Sequence, residues 1–277
     1  MEFEAIGTHW WIQPGQAELD TAQVRQTIDG VDKLWSRFRD DSMVARMALF
    51  AGSYPLDKSD VDLLRWYYQL YQATDGLVTP LIGQALSDAG YDKTYSLIPK
   101  DVISKTPVWD DVLVLGDSSL TLKRPALIDV GAAGKGYAVD KVANLFNGDF
   151  CVDAGGDIRV GDISMDIGLE DPRDPTKLIG VASVKNMAIC GSAISRRAWR
   201  NWNHIINPRS SQPAETVIAT WVICDTAMKA DGLATALFFV EPDALKGLAD
   251  FKYCIMYSDG SLKVTDDEMI KIFTENE

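Results

Sequence analysis

The order of periodic segments constrains this chain more than any single motif does. Residues 3–12 read as a first strand, and helix-period runs follow. Val24, Ile28, Val31, Trp35 and Phe38 recur at spacings of four and three. Ser59, with Asp62 three residues on, predicts a helix N-cap, and Val61, Leu64, Tyr68 and Tyr71 continue the apolar face to Asp75-Gly76, where glycine suits a C-terminal cap. Pro80 starts a short helix that stops near Gly90. The middle then changes character. Val112–Leu115 and Leu120–Leu122 flank Gly116-Asp117-Ser118 as a hairpin, and Leu127–Val130 reads as a short strand running into a glycine-rich turn and a helix. Strand-like runs follow at Phe150–Val152, Ala182–Cys190 and Val217–Cys224, then a helix from about Thr226 to Val240. A C-terminal helix and a hairpin of Tyr253–Tyr257 with Leu262–Val264 complete the chain. Strands and helices do not alternate regularly enough for a doubly wound sheet, so the expected class is α+β, with residues 1–277 as one domain.

Charge narrows the function classes. There are 27 Lys plus Arg against 40 Asp plus Glu, a net charge of −13. Such a surface repels nucleic acid and anionic membranes, which bind through cationic contacts. An anionic substrate would need local help from a metal ion, a lysine or helix N-termini. The longest apolar stretches, such as Ala234–Val240, are too short to span a bilayer. The opening residues carry acids and no basic region before an apolar core, so no secretory signal is read. Cys151, Cys190, Cys224 and Cys254 are widely spaced with no CxxC pair, which predicts buried free thiols and a cytoplasmic location.

Three segments carry candidate chemistry. Asp129 through Gly136 joins a strand to a helix N-terminus, a general way of offering N–H groups to phosphate, with Lys135 adding a cation. It is neither a Walker A loop nor the dinucleotide fingerprint, and glycines serving only close packing are the alternative. Asp231 and Thr235 lie four apart on a predicted helix, so their oxygens share a face and suit a hard cation such as Mg²⁺. The alternative is an Asp near a helix start and a Thr bonding back to its own turn. His204 precedes Ile205-Ile206-Asn207-Pro208-Arg209 and is one of two histidines, either a base or a structural residue in a strand before a Pro turn. His9, beside Trp10 and Trp11, reads as structural or rim. No G-x-S-x-G elbow is present, which excludes a serine hydrolase of that type.

In their order along the chain these segments resemble the ApbE family of FAD:protein FMN transferases, over about Ile6 to Val240. The landmarks are Ile6-Gly7-Thr8, Ser36-Arg37-Phe38 with Ser42, Thr74-Asp75-Gly76, Asp129 through Gly136, Ala154-Gly155-Gly156-Asp157, Gly191-Ser192, His204 through Arg209 and Asp231 through Thr235. The resemblance implies a T-fold-like α+β architecture of two lobes with an FAD cleft between them. It implies a Mg²⁺ ion held by the Ala132 carbonyl, Asp231 and Thr235. It places Asp129 and Lys135 against FAD, and Ile6, Phe38, Leu77, Val78, Thr79 and Ile205 around the flavin and adenine. It gives His204 the acceptor proton. The implied reaction moves FMN from FAD to a Thr or Ser hydroxyl of an acceptor flavoprotein and releases AMP. A Mg²⁺-dependent FAD pyrophosphatase and a non-catalytic FAD-binding protein are the alternatives.

The chain departs from the family pattern in three places. Gly131-Ala132-Ala133-Gly134 replaces Gly-Gly-Ile-Ala, a change that a carbonyl ligand tolerates. Thr79 stands where an aspartate commonly closes TDGxxD, so a polar contact to the flavin is expected to change. The usual H-I-I-D-P-x-T-G becomes His204-Ile205-Ile206-Asn207-Pro208-Arg209-Ser210-Ser211, without the acid and the glycine.

Overall fold

A computed structural model describes residues 1–15 and 20–273. Its centre is an eight-stranded antiparallel sheet built from β1 (Glu2–Ala5), β2 (Thr8–Gln13), β3 (Cys151–Ala154), β4 (Asp157–Val160), β5 (Ala188–Ala193), β6 (Val217–Cys224), β7 (Lys252–Tyr257) and β8 (Leu262–Val264). Strands adjacent in space follow one another in this order along the chain, and every pairing is antiparallel. The sheet is a meander whose connections have grown into functional segments. This arrangement places the chain in the α+β class, as the irregular order of elements predicts.

The expected strand at 3–12 is two strands. Ile6 and Gly7 take φ of +43° and +73°, which turns the chain back on itself. The connection from β2 to β3 holds α1 (Thr21–Trp35), α2 (Lys58–Ala73) and α3 (Gly134–Ala143), and that from β6 to β7 holds α4 (Ala227–Ala236). The first helix buries Val24, Ile28, Val31 and Trp35 and starts at Asp20, whose side chain accepts from the N–H groups of Ala22 and Gln23 at 3.0 Å. It ends at Trp35, so Phe38 lies past the helix it was expected to continue. Asp57, not Ser59, caps α2: it accepts from the Asp60 N–H at 3.0 Å, while the Ser59 hydroxyl bonds Asp57 at 2.7 Å. Residues 127–130 form no strand. The N–H of Asp129 bonds the Pro80 carbonyl at 2.8 Å instead of a sheet neighbour. The C-terminal helix is a single 3₁₀ turn, Pro242–Leu245.

Two cores sandwich the sheet. On one face pack the helices, with Tyr67, Leu70, Leu233 and Ala234 among residues without exposure. On the other, a three-stranded sheet of Met165–Asp171, Asp174–Val184 and Ile270–Ile272 closes over Ile158, Val160, Ile189 and Ile223. Every residue of β6 is buried, because both of its faces are covered. Burying one such Leu or Ile side chain contributes about 2 kcal/mol. Helices α3 and α4 touch closely: a Cβ on Gly136 would sit 2.1 Å from the Ala227 carbonyl oxygen, so only glycine permits the approach. All four cysteines are buried and free. Among the described residues no helix is long and apolar enough to cross a membrane.

Candidate active site

The ends of β2, β3 and β5 meet α3, α4 and the 194–216 connection around a cleft of about 420 Å³. Lys135, Asp129 and Ala132 reach it from the turn before α3 and its first residues, Asp231 and Thr235 from α4. Leu77, Val78 and Thr79 line it from the loop after α2, with His204 and Ile205 opposite. Phe38 borders both this cleft and an adjoining one of about 330 Å³, and Ile6 lines only the second. The residues singled out in the sequence are therefore brought together, although they span most of the chain.

The glycine-rich turn does not present a free nest of amides. Gly131 N–H donates to Asp129 Oδ1 at 2.7 Å, Ala133 N–H to the Tyr67 hydroxyl at 3.1 Å and Gly134 N–H to the Val130 carbonyl at 2.7 Å. Gly136 N–H donates to Asp231 Oδ2 at 2.9 Å. With these groups committed to protein partners, the glycines act mainly in packing, and the anion-facing charge falls to side chains.

Asp231 is 2% exposed, and burial raises its carboxyl pKa above the usual range, partly offset by Lys135. Among the described residues it makes no ion pair within 4.0 Å. Thr235 does not bond back to its own turn: its Oγ1 donates to the Ala132 carbonyl oxygen at 3.4 Å. A desolvated carboxylate, a hydroxyl and a carbonyl thus converge without a directly paired cation, a donor set that fits a hard divalent ion. The N-terminal end of α4, ahead of Asp231 and Thr235, is held by Asp140, which accepts from Ala227 N–H at 2.9 Å and Met228 N–H at 2.8 Å, and by the Thr226 hydroxyl. Tyr67, with no exposure, has its hydroxyl pKa pushed well above 10 by burial and by nearby Asp129 and Asp231.

His204 lies in a two-residue break between the short strands Trp202–Asn203 and Ile206–Asn207, not within a strand. Its ring Nδ1 is 3.4 Å from the Arg197 carbonyl, which also accepts the His204 N–H at 3.1 Å. Burial, then the Arg197 and Lys135 cations, lower its pKa to about 4, so the ring is neutral at pH 7. Lys135 lines the cleft, yet its ammonium pairs with Asp157. Ile205 is 5% exposed and anchored by its N–H to Asn203 Oδ1 at 2.9 Å. His9 sits on β2, exposed beside Glu4.

The departures from the family pattern have local explanations. Thr79 is 4% exposed and accepts from Leu81 N–H at 3.2 Å, capping the 3₁₀ turn Pro80–Ile82. Asn207 Oδ1 accepts from Arg209 N–H at 2.9 Å and Ser210 N–H at 3.2 Å, the turn that an aspartate would make. Ser211 takes φ of +55°, the left-handed region, where the family has glycine. Phe38 is already engaged: Tyr95 stacks on it at 5.1 Å and the Arg37 guanidinium lies 4.2 Å from its centroid. Sequence reading missed the cationic wall of Arg196 and Arg197 and the aromatic pair Tyr91 and Tyr95. Adjacent arginines just after Gly191-Ser192, in so acidic a chain, were the available signal.

The meander and its helical insertion define an α+β protein with a cleft lined by oxygen donors, cations and a histidine. The ApbE family model matches residues 6–256, and the chain belongs to the ApbE family. A curated relative in Escherichia coli K12, named FAD:protein FMN transferase, is 23% identical over 315 residues, spanning 100% of this chain and 89% of the relative. A Treponema pallidum protein of the same name is 27% identical over 236 residues, 72% of this chain and 65% of its own. Among solved structures, the ApbE protein of Thermotoga maritima superposes with a TM-score of 0.82 at 21% identity, covering 96% of each chain. The flavin transferase ApbE of Vibrio cholerae gives 0.77 at 20% identity, covering 97% of this chain and 96% of its own. These likenesses show that the fold is shared.

Proposed function

We propose that this chain transfers the FMN half of FAD to a threonine or serine hydroxyl of an acceptor protein and releases AMP. The observation that carries the reading is the presence in one cleft of neutral His204, the oxygens of Asp231, Thr235 and Ala132, and the cations Lys135, Arg196 and Arg197. The names of the E. coli and T. pallidum relatives support the same activity.

The acceptor oxygen attacks the FMN phosphorus, the bond from that phosphorus to the bridging oxygen breaks, and AMP leaves with that oxygen. With the ring proton assigned to Nδ1, which faces the Arg197 carbonyl, Nε2 of His204 is free to take the hydroxyl proton. Ala132, Asp231 and Thr235 would hold Mg²⁺, which when bound supplies charge neutralisation at the diphosphate. Lys135 and Arg197 add fixed positive charge there, and Asp129, Leu77, Val78, Thr79 and Ile205 shape the pocket for FAD. Ile6 and Phe38 wall the adjoining cleft that receives the rest of the dinucleotide. Buried free thiols support a reducing compartment, the cytoplasm, for this activity.

The test is incubation with FAD, Mg²⁺ and a threonine-bearing acceptor peptide, with products followed by mass spectrometry and an EDTA control. A flavinylated peptide with matching AMP, lost in EDTA, is the expected result. FMN and AMP with bare peptide would make the protein a pyrophosphatase, and unchanged FAD would make it a binder.

A further inference from the structure

Asp129, placed above in the FAD pocket, has a buried cationic partner with no part in the chemistry just described. Arg37 follows the end of α1, and its side chain is 3% exposed. Its Nε donates to Asp129 Oδ2 at 2.5 Å, across 92 residues of chain. The guanidinium carbon lies 4.2 Å from the Phe38 ring centroid and 4.8 Å from that of Tyr91, so two aromatic rings fix its position. Among the described residues Nη2 has no hydrogen-bond partner. Burying a guanidinium with one hydrogen-bonding group unsatisfied is costly, and Asp129 is the anion that offsets it.

Asp129 passes this restraint onward. Its Oδ1 accepts from Gly131 N–H at 2.7 Å, and its own N–H is held by the Pro80 carbonyl at 2.8 Å. The next residue, Ala132, points its carbonyl oxygen at Thr235 Oγ1, 3.4 Å away. Without the cation, a carboxylate only 11% exposed would turn toward water and release Gly131 N–H. The Ala132 carbonyl would then lose the brace on its N-terminal side.

We propose that Arg37 is a positioning residue that acts through Asp129: it locks the Asp129–Gly131 turn and so aims the Ala132 carbonyl at Asp231 and Thr235. The inference rests on the metal reading of those three oxygens given above.

The test measures Mn²⁺ binding by electron paramagnetic resonance at saturating ADP, a diphosphate without flavin, so that no turnover is needed. Wild type, Arg37→Met, Arg37→Lys, Asp129→Asn and the Arg37→Met/Asp129→Asn double variant are compared, with thermal melts alongside. Arg37→Met is expected to weaken Mn²⁺ binding about tenfold or more, the usual effect of removing a group that orients a ligand. Arg37→Lys recovers part of the loss, because an ammonium can still pair with Asp129. The double variant loses little more than Asp129→Asn alone. Should Arg37→Met not fold, a partial loss in Arg37→Lys, smaller than in Asp129→Asn, supports the proposal, and no loss in Arg37→Lys beside a loss in Asp129→Asn overturns it. Additive losses, or unchanged Mn²⁺ affinity in folded Arg37→Met, overturn the proposal while leaving the metal reading intact. A wild-type protein that binds no Mn²⁺ overturns both.

Discussion

Thr235 Oγ1 donates to the carbonyl oxygen of Ala132 at 3.4 Å, joining two residues 103 positions apart. Asp231 sits one helical turn before Thr235 on α4 and accepts from Gly136 N–H at 2.9 Å, at the start of α3. The contact between these two helices therefore sets the geometry of the oxygen cluster.

Replacing Asp231 separates charge from fold. Asp231→Asn keeps an acceptor for Gly136 N–H and removes the buried carboxylate that burial already disfavours. Mg²⁺-dependent turnover of FAD is expected to fall roughly 100-fold or more, with a melting temperature unchanged or higher. Chromatographic assay of AMP and a thermal melt check both. Undiminished activity would place the metal elsewhere.

The pH profile reports on His204. Its pKa in the free protein is about 4, so the acid limb of kcat/KM for transfer is expected near pH 4, not near 6.5. Bound diphosphate offsets the charges of Arg197 and Lys135, so the limb of kcat should lie higher. Between pH 4 and 6.5 the unfolded chain binds a proton on this side chain that the folded chain does not. Its contribution to stability is therefore present above pH 6.5 and is lost as pH falls through that window. His204→Ala should flatten this dependence and reduce transfer more than hydrolysis, as urea melts and product analysis would show.

Lys135 pairs with Asp157 and is proposed to face FAD, and a double variant can separate the two. The Asp157 side chain is 1% exposed, pairs with Lys135, and leaves Oδ1 without a partner. Lys135→Met strands that buried carboxylate and is expected to cost about 3–5 kcal/mol in urea unfolding. Adding Asp157→Asn should restore most of the stability. FAD affinity, read by flavin fluorescence, should stay weak in both variants, and full recovery of affinity would remove Lys135 from the substrate site.

Ser211 holds a backbone conformation that glycine adopts more easily, at φ of +55°. Ser211→Gly is expected to raise stability by up to roughly 1 kcal/mol. A thermal or chemical melt showing a loss of that size would mean that the serine side chain stabilises the turn.

Much of the local structure was legible in the residues. The 3.6-residue period located α1 and α2, and the turn residues marked the hairpins around Gly116 and Gly260. The order of short motifs pointed, through the resemblance it carries, to residues that line the cleft and its neighbour. Failures fell where a distant partner competed. Ser59 has cap chemistry, but Asp57 takes the role and Ser59 joins Tyr137 and Lys141 instead. Leu127–Val130 has strand composition, but the backbone there bonds to Pro80 and no neighbouring strand is available.

Taken alone, the sequence determined the α+β class and the elements with strong period, since these follow from the order and spacing of neighbours, while the candidate site residues came from the resemblance of its ordered motifs to the ApbE family. Only the tertiary structure decided that the amides of the glycine turn are already bonded, that Lys135 is shared with Asp157, and that Arg37 stands behind Asp129. Those contacts join residues 22 to 95 positions apart. Spacing along a chain carries no information about which distant polar group desolvation will force together.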